Sequence, residues 1–229
     1  MQAADLVPPT ASTARSSTAW SMVEVDFTNV ERSITRVQSE WTKHVGIPLT
    51  TVPFVLRATA MALATFPYLN AELTKDGLRC SQSVNLGIAI DSGSPALGTA
   101  VLAKADALGV GQLAVQVHRL LNAARSGGLE PGGHVGGTFE ITSAVDCGGV
   151  LTMPALSAAN TGALAIAGVT HGPSVVTLPD GSLGIAIRPR GTVCLAWDAR
   201  AINGAYAAHF LAKVKDLIET TEWTISLPE

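Results

Sequence analysis

Leu195-Ala196-Trp197-Asp198-Ala199-Arg200-Ala201-Ile202-Asn203-Gly204-Ala205 passes through three kinds of local structure. The apolar run entering it reads as a buried strand. Beyond it, Ala208, Leu211, Val214 and Ile218 recur at helical spacing, so Ala205 to Thr221 reads as an amphipathic helix with these residues facing inward. Between the two, Asp198, Arg200, Asn203 and Gly204 form a polar turn, the kind of cluster a buried strand end presents to a cleft. A strand that runs through a polar turn into a helix needs a sheet on one side and a helical layer on the other.

The flanking sequence extends that layering. Ser174 to Trp197 holds two or three strands around the turn signal Pro179-Asp180-Gly181. Ala163 to Gly168, Gly136 to Ser143 and Val84 to Ile90 read as further strands, with a turn at Gly93 to Pro95, and Val23 to Phe27 alternates apolar and acidic residues like a half-buried edge strand. Three more helices are expected. Val30 to Lys43 places Val30, Ile34, Val37 and Trp41 on one face behind a cap at Thr28 or Asn29. Phe54 to Phe66 is nearly all apolar, with Thr50 or Thr51 as cap and Pro53 in the first turn. Gly111 to Ala124 carries Leu113, Val117, Leu120 and Leu121, and Arg125-Ser126-Gly127-Gly128 has the form of a C-cap. Helices and strands do not alternate regularly and no period repeats, so the expectation is one α+β domain over residues 21–229. Residues 1–20, with paired prolines and small polar residues, read as a flexible tail.

Bulk properties exclude several functions. A net charge of −3 without clustered Lys and Arg offers no footprint for nucleic acid or for an anionic membrane. No apolar run approaches the roughly 20 residues of a membrane span, and no signal-peptide core is present. Cys80, Cys147 and Cys194 are odd in number and widely spaced, which suits a reduced, cytoplasmic protein, and the Ala- and Gly-rich composition suits a high-GC bacterium. His44, His118, His134, His171 and His209 are scattered, so no metal site is expected, and Gly132 to Gly137 lacks the Lys-Ser/Thr ending of a phosphate loop. Cys147 has no spaced base to activate it.

Five blocks, in order, carry a family resemblance. The Asp198–Gly204 turn resembles the signature Asp-His-Arg-x-x-Asp/Asn-Gly of the dihydrolipoamide acyltransferases of 2-oxo acid dehydrogenase complexes. Leu49 to Ala71 is similar to their helix ending in Pro-x-Leu-Asn, and Asn85 to Ile90 to their Asn-Ile-Gly-Val-Ala-Val strand. Arg125 to Pro131 and Gly136-Gly137-Thr138-Phe139 are similar to Ala-Arg-x-Gly-x-Leu-x-Pro and Gly-Gly-Thr-Phe-Thr-Ile-Ser. The resemblance implies the fold shared with chloramphenicol acetyltransferase, a mixed sheet flanked by helices. It also implies a homotrimer in which each active site lies between two subunits. One subunit supplies a histidine base and its neighbour a hydroxyl that hydrogen-bonds the oxyanion.

Carried onto this sequence, the oxyanion donor is Thr142, with Ser143 as the neighbouring alternative. Asn203 takes the Asp/Asn position, Asp198 and Arg200 form a partly buried pair that shapes the turn, and Gly204 lets the chain enter the last helix. Trp197 either packs in the core or narrows the substrate channel. The histidine position is Ala199, which cannot accept a proton; loss of a general base costs on the order of 10²- to 10⁴-fold. Either the histidine was recently lost or engineered out of an otherwise intact motif, or the chain is a natural variant with another role. The family's lipoyl domain and linker do not occur among these 229 residues. The expectation is therefore a stand-alone transferase similar to those that acetylate tetronate natural products. It would take acetyl-CoA as co-substrate, bind no permanent cofactor, and acylate a small-molecule or carrier-protein-bound hydroxyl. The alternative is a non-catalytic trimeric scaffold or ligand-binding paralogue.

Overall fold

The computed structural model describes residues 17–90, 98–126, 136–145 and 148–227. The helix-forming and strand-forming stretches separate into two layers. β4 (Leu86–Ile90), β6 (Phe139–Ser143) and β7 (Gly162–Ile166) run parallel at the centre of a seven-stranded mixed sheet. β5 (Gly98–Leu102) closes one side as an antiparallel partner of β4. On the other side β9 (Leu183–Asp198) is antiparallel to β7, and β1 (Thr18–Asp26) lies beyond it, giving the order β1-β9-β7-β6-β4-β5. A two-stranded ribbon of β2 (Ala71–Thr74) and β3 (Gly77–Cys80) stands apart.

α1 (Thr28–Val45), α2 (Val52–Thr65), α3 (Val110–Arg125) and α4 (Gly204–Thr220) form the second layer. One core joins them to the sheet: Phe54, Leu56 and Leu63 of α2, Phe210, Val214 and Ile218 of α4, and Phe139, Ile141, Leu164, Ile166, Val193 and Leu195 of the strands. Leu164, Phe139, Val193 and Leu195 have no measurable exposure, as expected for central strands beneath helices. The C-terminal segment is bound across the helices. Asn29 Nδ2 donates to the Thr221 carbonyl at 2.7 Å, Arg36 donates to the Trp223 carbonyl at 3.1 Å, and Trp223 meets Phe54 edge-on at 5.5 Å.

Several expectations are corrected. Thr18, Ala19 and Trp20 belong to strand β1, where they pair with Asp198, Trp197 and Ala196, so the tail assigned to residues 1–20 does not include them. Residues 1–16 lie outside the described residues, as do the turn at Gly93–Pro95, the glycines expected to cap α3, His134, most of the glycine loop and Cys147. Neither Thr28 nor Asn29 caps α1; the cap position is Phe27, and the Thr28 N–H is taken by the Asp26 carboxylate at 2.8 Å. Thr51 stands at the cap of α2 without a side-chain bond. On α4 Ala208 is exposed and Ala207 buried, because Phe210 turns the helix so that 207, 210, 211, 214, 217 and 218 face the sheet.

β9, at 16 residues, is more than three times the length of most strands and changes partner at its middle. Leu183 to Arg190 pairs with β8 (Thr170–Thr177), and Val193 to Trp197 pairs with β7. Gly191 marks the change: a Cβ there would lie 2.9 Å from the Phe27 ring and 3.1 Å from Val169, so only glycine lets the strand pass so close. On the N-terminal side of Gly191, β8, the seventh strand of the sheet, and the first half of β9 form a two-stranded arm. Val175, Leu183, Ile185 and Ile187 on this arm are 66–79% exposed, and the register Val175↔Ile185 puts them on one face. Among the described residues β8 has no partner along its outer edge.

Candidate active site

The strand-to-helix turn is held by its own polar groups. The Asp198 carboxylate accepts from the Arg200 backbone N–H at 2.9 Å and from Arg200 Nε at 3.0 and 3.1 Å, and Arg200 also donates to Oδ2 from its guanidinium terminus at 2.6 Å. The Asp198 carbonyl then accepts from Ala201 and Ile202 at 3.0 and 2.9 Å. Burial of the Asp198 carboxyl pushes its pKa up. The Arg200 hydrogen bonds, the Arg200 charge and a bond from the Ser17 hydroxyl together outweigh that, and the net shift is downward.

A carboxylate with a depressed folded pKa stabilises the fold above the ordinary aspartate range, and that contribution is lost as pH falls through the folded value. Asp198→Asn should therefore cost about 1 to 2 kcal/mol at neutral pH, a moderate figure because Arg200 is half-exposed. Thermal melts of both forms should begin to converge below roughly pH 4 and meet only once the pH is below the depressed folded value of Asp198. A gap that stays constant down to acid pH would show that the ion pair contributes nothing.

Ala199 follows in an exposed position, its N–H bonded to the Ser17 carbonyl at 2.7 Å. Asn203 turns out to be the N-cap of α4: its Oδ1 accepts from the Tyr206 N–H at 2.8 Å. Gly204 opens the helix and a Cβ there would meet nothing within 4 Å, so steric crowding does not require glycine. Trp197 alternates with Leu195 and Val193 toward the helices and is 6% exposed within the core cluster, so it does not face the opposite side of the sheet. Its indole N–H is buried and has no hydrogen-bond partner among the described residues.

Tyr206, in the first turn of α4, was not singled out from sequence. Its hydroxyl accepts from the Tyr68 N–H at 3.3 Å, and its ring lies 5.6 Å from Tyr68 and 5.1 Å from Phe66. Burial is the main cause that pushes its pKa up to about 12, so it remains a neutral hydroxyl. Thr161 ties this cluster to the turn: its hydroxyl donates to the Tyr68 carbonyl at 2.7 Å and its carbonyl accepts from the Asp198 N–H at 3.0 Å.

Strand alternation separates Thr142 from Ser143. Phe139 and Ile141 point into the helical core, so Glu140 and Thr142 point to the other face and Ser143 follows the core side. In register with Glu140 and Thr142 stand Gly87, Ala89, Ala163, Ala165, Cys194 and Ala196, all small. The segment 148–160 runs over this face, where the Trp20 indole donates to the Pro154 carbonyl at 3.4 Å.

One chain does not bring the two ends of the site together. Thr142 is in register with Ala165 and Cys194, four residues from Asp198 along β9 and two strands away from it. At strand spacings of about 3.3 Å along and 4.8 Å across, Thr142 and Asp198 are roughly 16 Å apart. Among the described residues no histidine is hydrogen-bonded to the turn. His44 and His118 contact their own helices at Glu40 and Asn122, His171 lies 3.3 Å from Glu31, and His209 is exposed on α4. Among the described residues no three His, Cys, Asp or Glu side chains could hold a metal ion, and no helix is long and apolar enough to cross a membrane.

The model of the 2-oxoacid dehydrogenases acyltransferase (catalytic domain) family matches residues 10–225. A probable dihydrolipoamide acetyltransferase from Listeria monocytogenes superposes with a TM-score of 0.82 at 30% identity, covering 91% of this chain and 88% of that one. The Azotobacter vinelandii dihydrolipoamide acetyltransferase gives 0.78 at 28% identity, covering 88% and 81%. That structure was determined to probe the catalytic role of a serine, a histidine and an asparagine, the last two four positions apart, which is also the separation of Ala199 and Asn203. Chloramphenicol acetyltransferase, at 12% identity and a TM-score of 0.54, shares the fold. The acetyltransferase component of the Corynebacterium glutamicum pyruvate dehydrogenase complex is 32% identical over 203 residues, which are 87% of this chain and 30% of that protein. The succinyltransferase component from Rickettsia bellii is also 32% identical, over 87% of this chain and 48% of that protein, so this chain spans half or less of these relatives' length. The mixed sheet, the helical layer and these matches lead to one conclusion: the chain belongs to the 2-oxoacid dehydrogenase acyltransferase catalytic-domain family.

Proposed function

We propose that this chain transfers an acyl group, acetyl in the first instance, from a CoA thioester to a hydroxyl of a small natural product or a carrier-bound intermediate, and does so slowly because Ala199 stands where the family's base belongs. The observation that carries the reading is the turn itself. Asp198, Arg200 and Asn203 are all engaged in holding its shape around an exposed residue 199. In the reaction the acceptor oxygen loses its proton and bonds to the thioester carbonyl carbon. Thr142 donates to the resulting oxyanion, and the carbon–sulfur bond breaks to release the CoA thiolate, which takes up the proton.

The roughly 16 Å between Thr142 and Asp198 supports a site shared between two subunits. The exposed apolar face and open edge of the β8–β9 arm suit a second copy of the chain, since such an edge is otherwise an aggregation hazard. We therefore assign a homotrimer, in keeping with the likeness to the cubic core of the pyruvate dehydrogenase multienzyme complex, at 28% identity and a TM-score of 0.78.

Calorimetric titration of the native chain with acetyl-CoA tests the reading. Saturable binding is expected, and no heat at any concentration, together with a tight protein partner, would favour a non-catalytic scaffold, the reading that Ala199 alone supports. The hydroxyl is tested separately in an Ala199→His background. There Thr142→Ala should lower transfer by about 10²- to 10³-fold, whereas Ser143→Ala, on the core-facing side, should leave it nearly unchanged. The reverse order would move the oxyanion role to Ser143.

A further inference from the structure

We infer that the cavity between the start of α1 and the first half of β9 binds a phosphate group, held between Arg188 and Arg32. This goes beyond the acyltransferase reading and does not depend on it.

The site arises where β9 outruns its neighbour. β1 ends at Asp26, opposite Arg190, and the chain turns at Phe27 directly into α1. Arg188, two residues nearer the start of β9, therefore meets the first turn of α1 on that side and no strand; its Nη1 donates to the Thr28 hydroxyl at 3.3 Å. Arg32 follows Thr28 by four residues, so their side chains share one face of α1. Together with Asp26, Asn29 and Glu219 from the last turn of α4, they line a cavity of about 270 Å³, and every lining residue is polar. Arg188 lies ten residues before Asp198 on β9, roughly 30 Å along an extended strand, which separates this cavity from the strand-to-helix turn.

The acidic and amide groups of the lining hold its walls. Glu219 accepts from the Asp26 N–H at 2.9 Å and from Lys215, and Asp26 accepts from the Thr28 N–H at 2.8 Å. Asn29 Nδ2 donates to the Thr221 carbonyl at 2.7 Å. The guanidinium groups are not engaged in this way. Neither Arg32 nor Arg188 has a carboxylate partner among the described residues, whereas Arg190 nearby is paired with Glu24. Arg188 Nε is buried and has no hydrogen-bond partner among the described residues, an arrangement that is costly for a charged donor.

Charge points the same way. Arg32, Arg188 and Lys215 stand against Asp26 and Glu219, and α1 begins here without a side-chain cap, so its positive dipole end adds to the surplus. Two guanidinium groups on one cavity repel each other unless an anion stands between them. An oxyanion that accepts from Arg188 Nε and from Arg32 supplies the missing partner and the missing charge together. The Thr28 hydroxyl, already accepting from Arg188, keeps its own proton to donate. Donors thus converge from β9 and from two turns of α1, which suits the tetrahedral oxygens of a phosphate better than the planar pair of a carboxylate.

The experiment uses the full chain and its Arg188→Gln, Arg188→Lys and Arg32→Gln variants. Calorimetric titration and thermal melts are run with inorganic phosphate, glycerol 3-phosphate and succinate, each against chloride at equal ionic strength. The native chain should bind phosphate saturably and melt at a higher temperature in its presence. Either Gln variant should weaken binding by about 10-fold or more, and Arg188→Lys, which keeps the charge and loses the fork, should weaken it as well. Melts in chloride serve as the control for folding; if Arg188→Gln does not fold, Arg32→Gln carries the test from an exposed position. Tighter binding of glycerol 3-phosphate than of inorganic phosphate assigns the site to a phosphate ester, and the reverse order assigns it to the free ion. A native chain that responds to phosphate no more than to chloride overturns the inference, the arginines then closing onto the remaining oxygens of Asp26 and Glu219. Undiminished binding in the folded Gln variants overturns it too, and an equal response to succinate removes the assignment to phosphate.

Discussion

Ala199→His is expected to raise transfer from acetyl-CoA by about 10²- to 10⁴-fold, the contribution of a well-placed general base. The turn should accept the larger side chain without rearrangement, because everything that shapes it lies in other atoms. The backbone N–H of residue 199 is bonded to Ser17, the Asp198 carboxylate is occupied by Arg200, and the Asn203 side chain caps α4. Residue 199 itself is exposed, so an imidazole there displaces no packed group, and a surface change of this kind shifts stability by only about 0.5 kcal/mol. Transfer to dihydrolipoamide and a thermal melt, measured on the same preparation, check both halves. If the histidine form melts like the native protein and gains no rate, the turn does not face the reacting groups and the proposed role of position 199 is lost.

The turn and its flanks were legible because the apolar period changes there, from a buried strand to the 3.6-residue spacing of α4. That period does not decide between Ala207 and Ala208, which lie four and three residues before Leu211. Phe210, left out of the inward set, settles the rotation in favour of Ala207. The β2–β3 ribbon was missed although Asp76-Gly77 is a hairpin signal, since four-residue strands show almost no periodicity. β5 offered only Gly98 to Leu102, where small residues hide the alternation.

The site was harder to read than the fold. The facing of Thr142 could have been found by applying period-2 alternation to Phe139–Ser143, which separates it from Ser143. The separation of Thr142 from the turn could not, since it depends on the register of β6, β7 and β9, partners joined by contacts far apart in sequence.

If the proposed site is shared between subunits, activity depends on assembly. Ile185→Lys is expected to convert the proposed trimer to monomers and, in an Ala199→His background, to remove nearly all transfer. Ile185 is 79% exposed at the centre of the arm's apolar face, opposite Val175 and flanked by Leu183 and Ile187. Covering these four side chains with a second copy contributes about 6 to 12 kcal/mol per arm, at roughly 1.5 to 3 kcal/mol each. An ammonium group in the middle of that contact would have to be desolvated without a partner, which costs several kcal/mol. None of the arm's exposed residues belongs to the core cluster, so the isolated fold should survive the change. Sedimentation should then show a folded monomer with a native-like melt. Mixing provides an independent check of the shared site. Trimers of Ala199→His with Thr142→Ala lack the hydroxyl and native trimers lack the histidine, so each alone is slow. Co-refolded together, they should form some sites with histidine from one chain and hydroxyl from its neighbour, and transfer should rise above both parents. If the mixture is no faster than its parents while mixed trimers are present, position 199 and Thr142 do not meet across the interface.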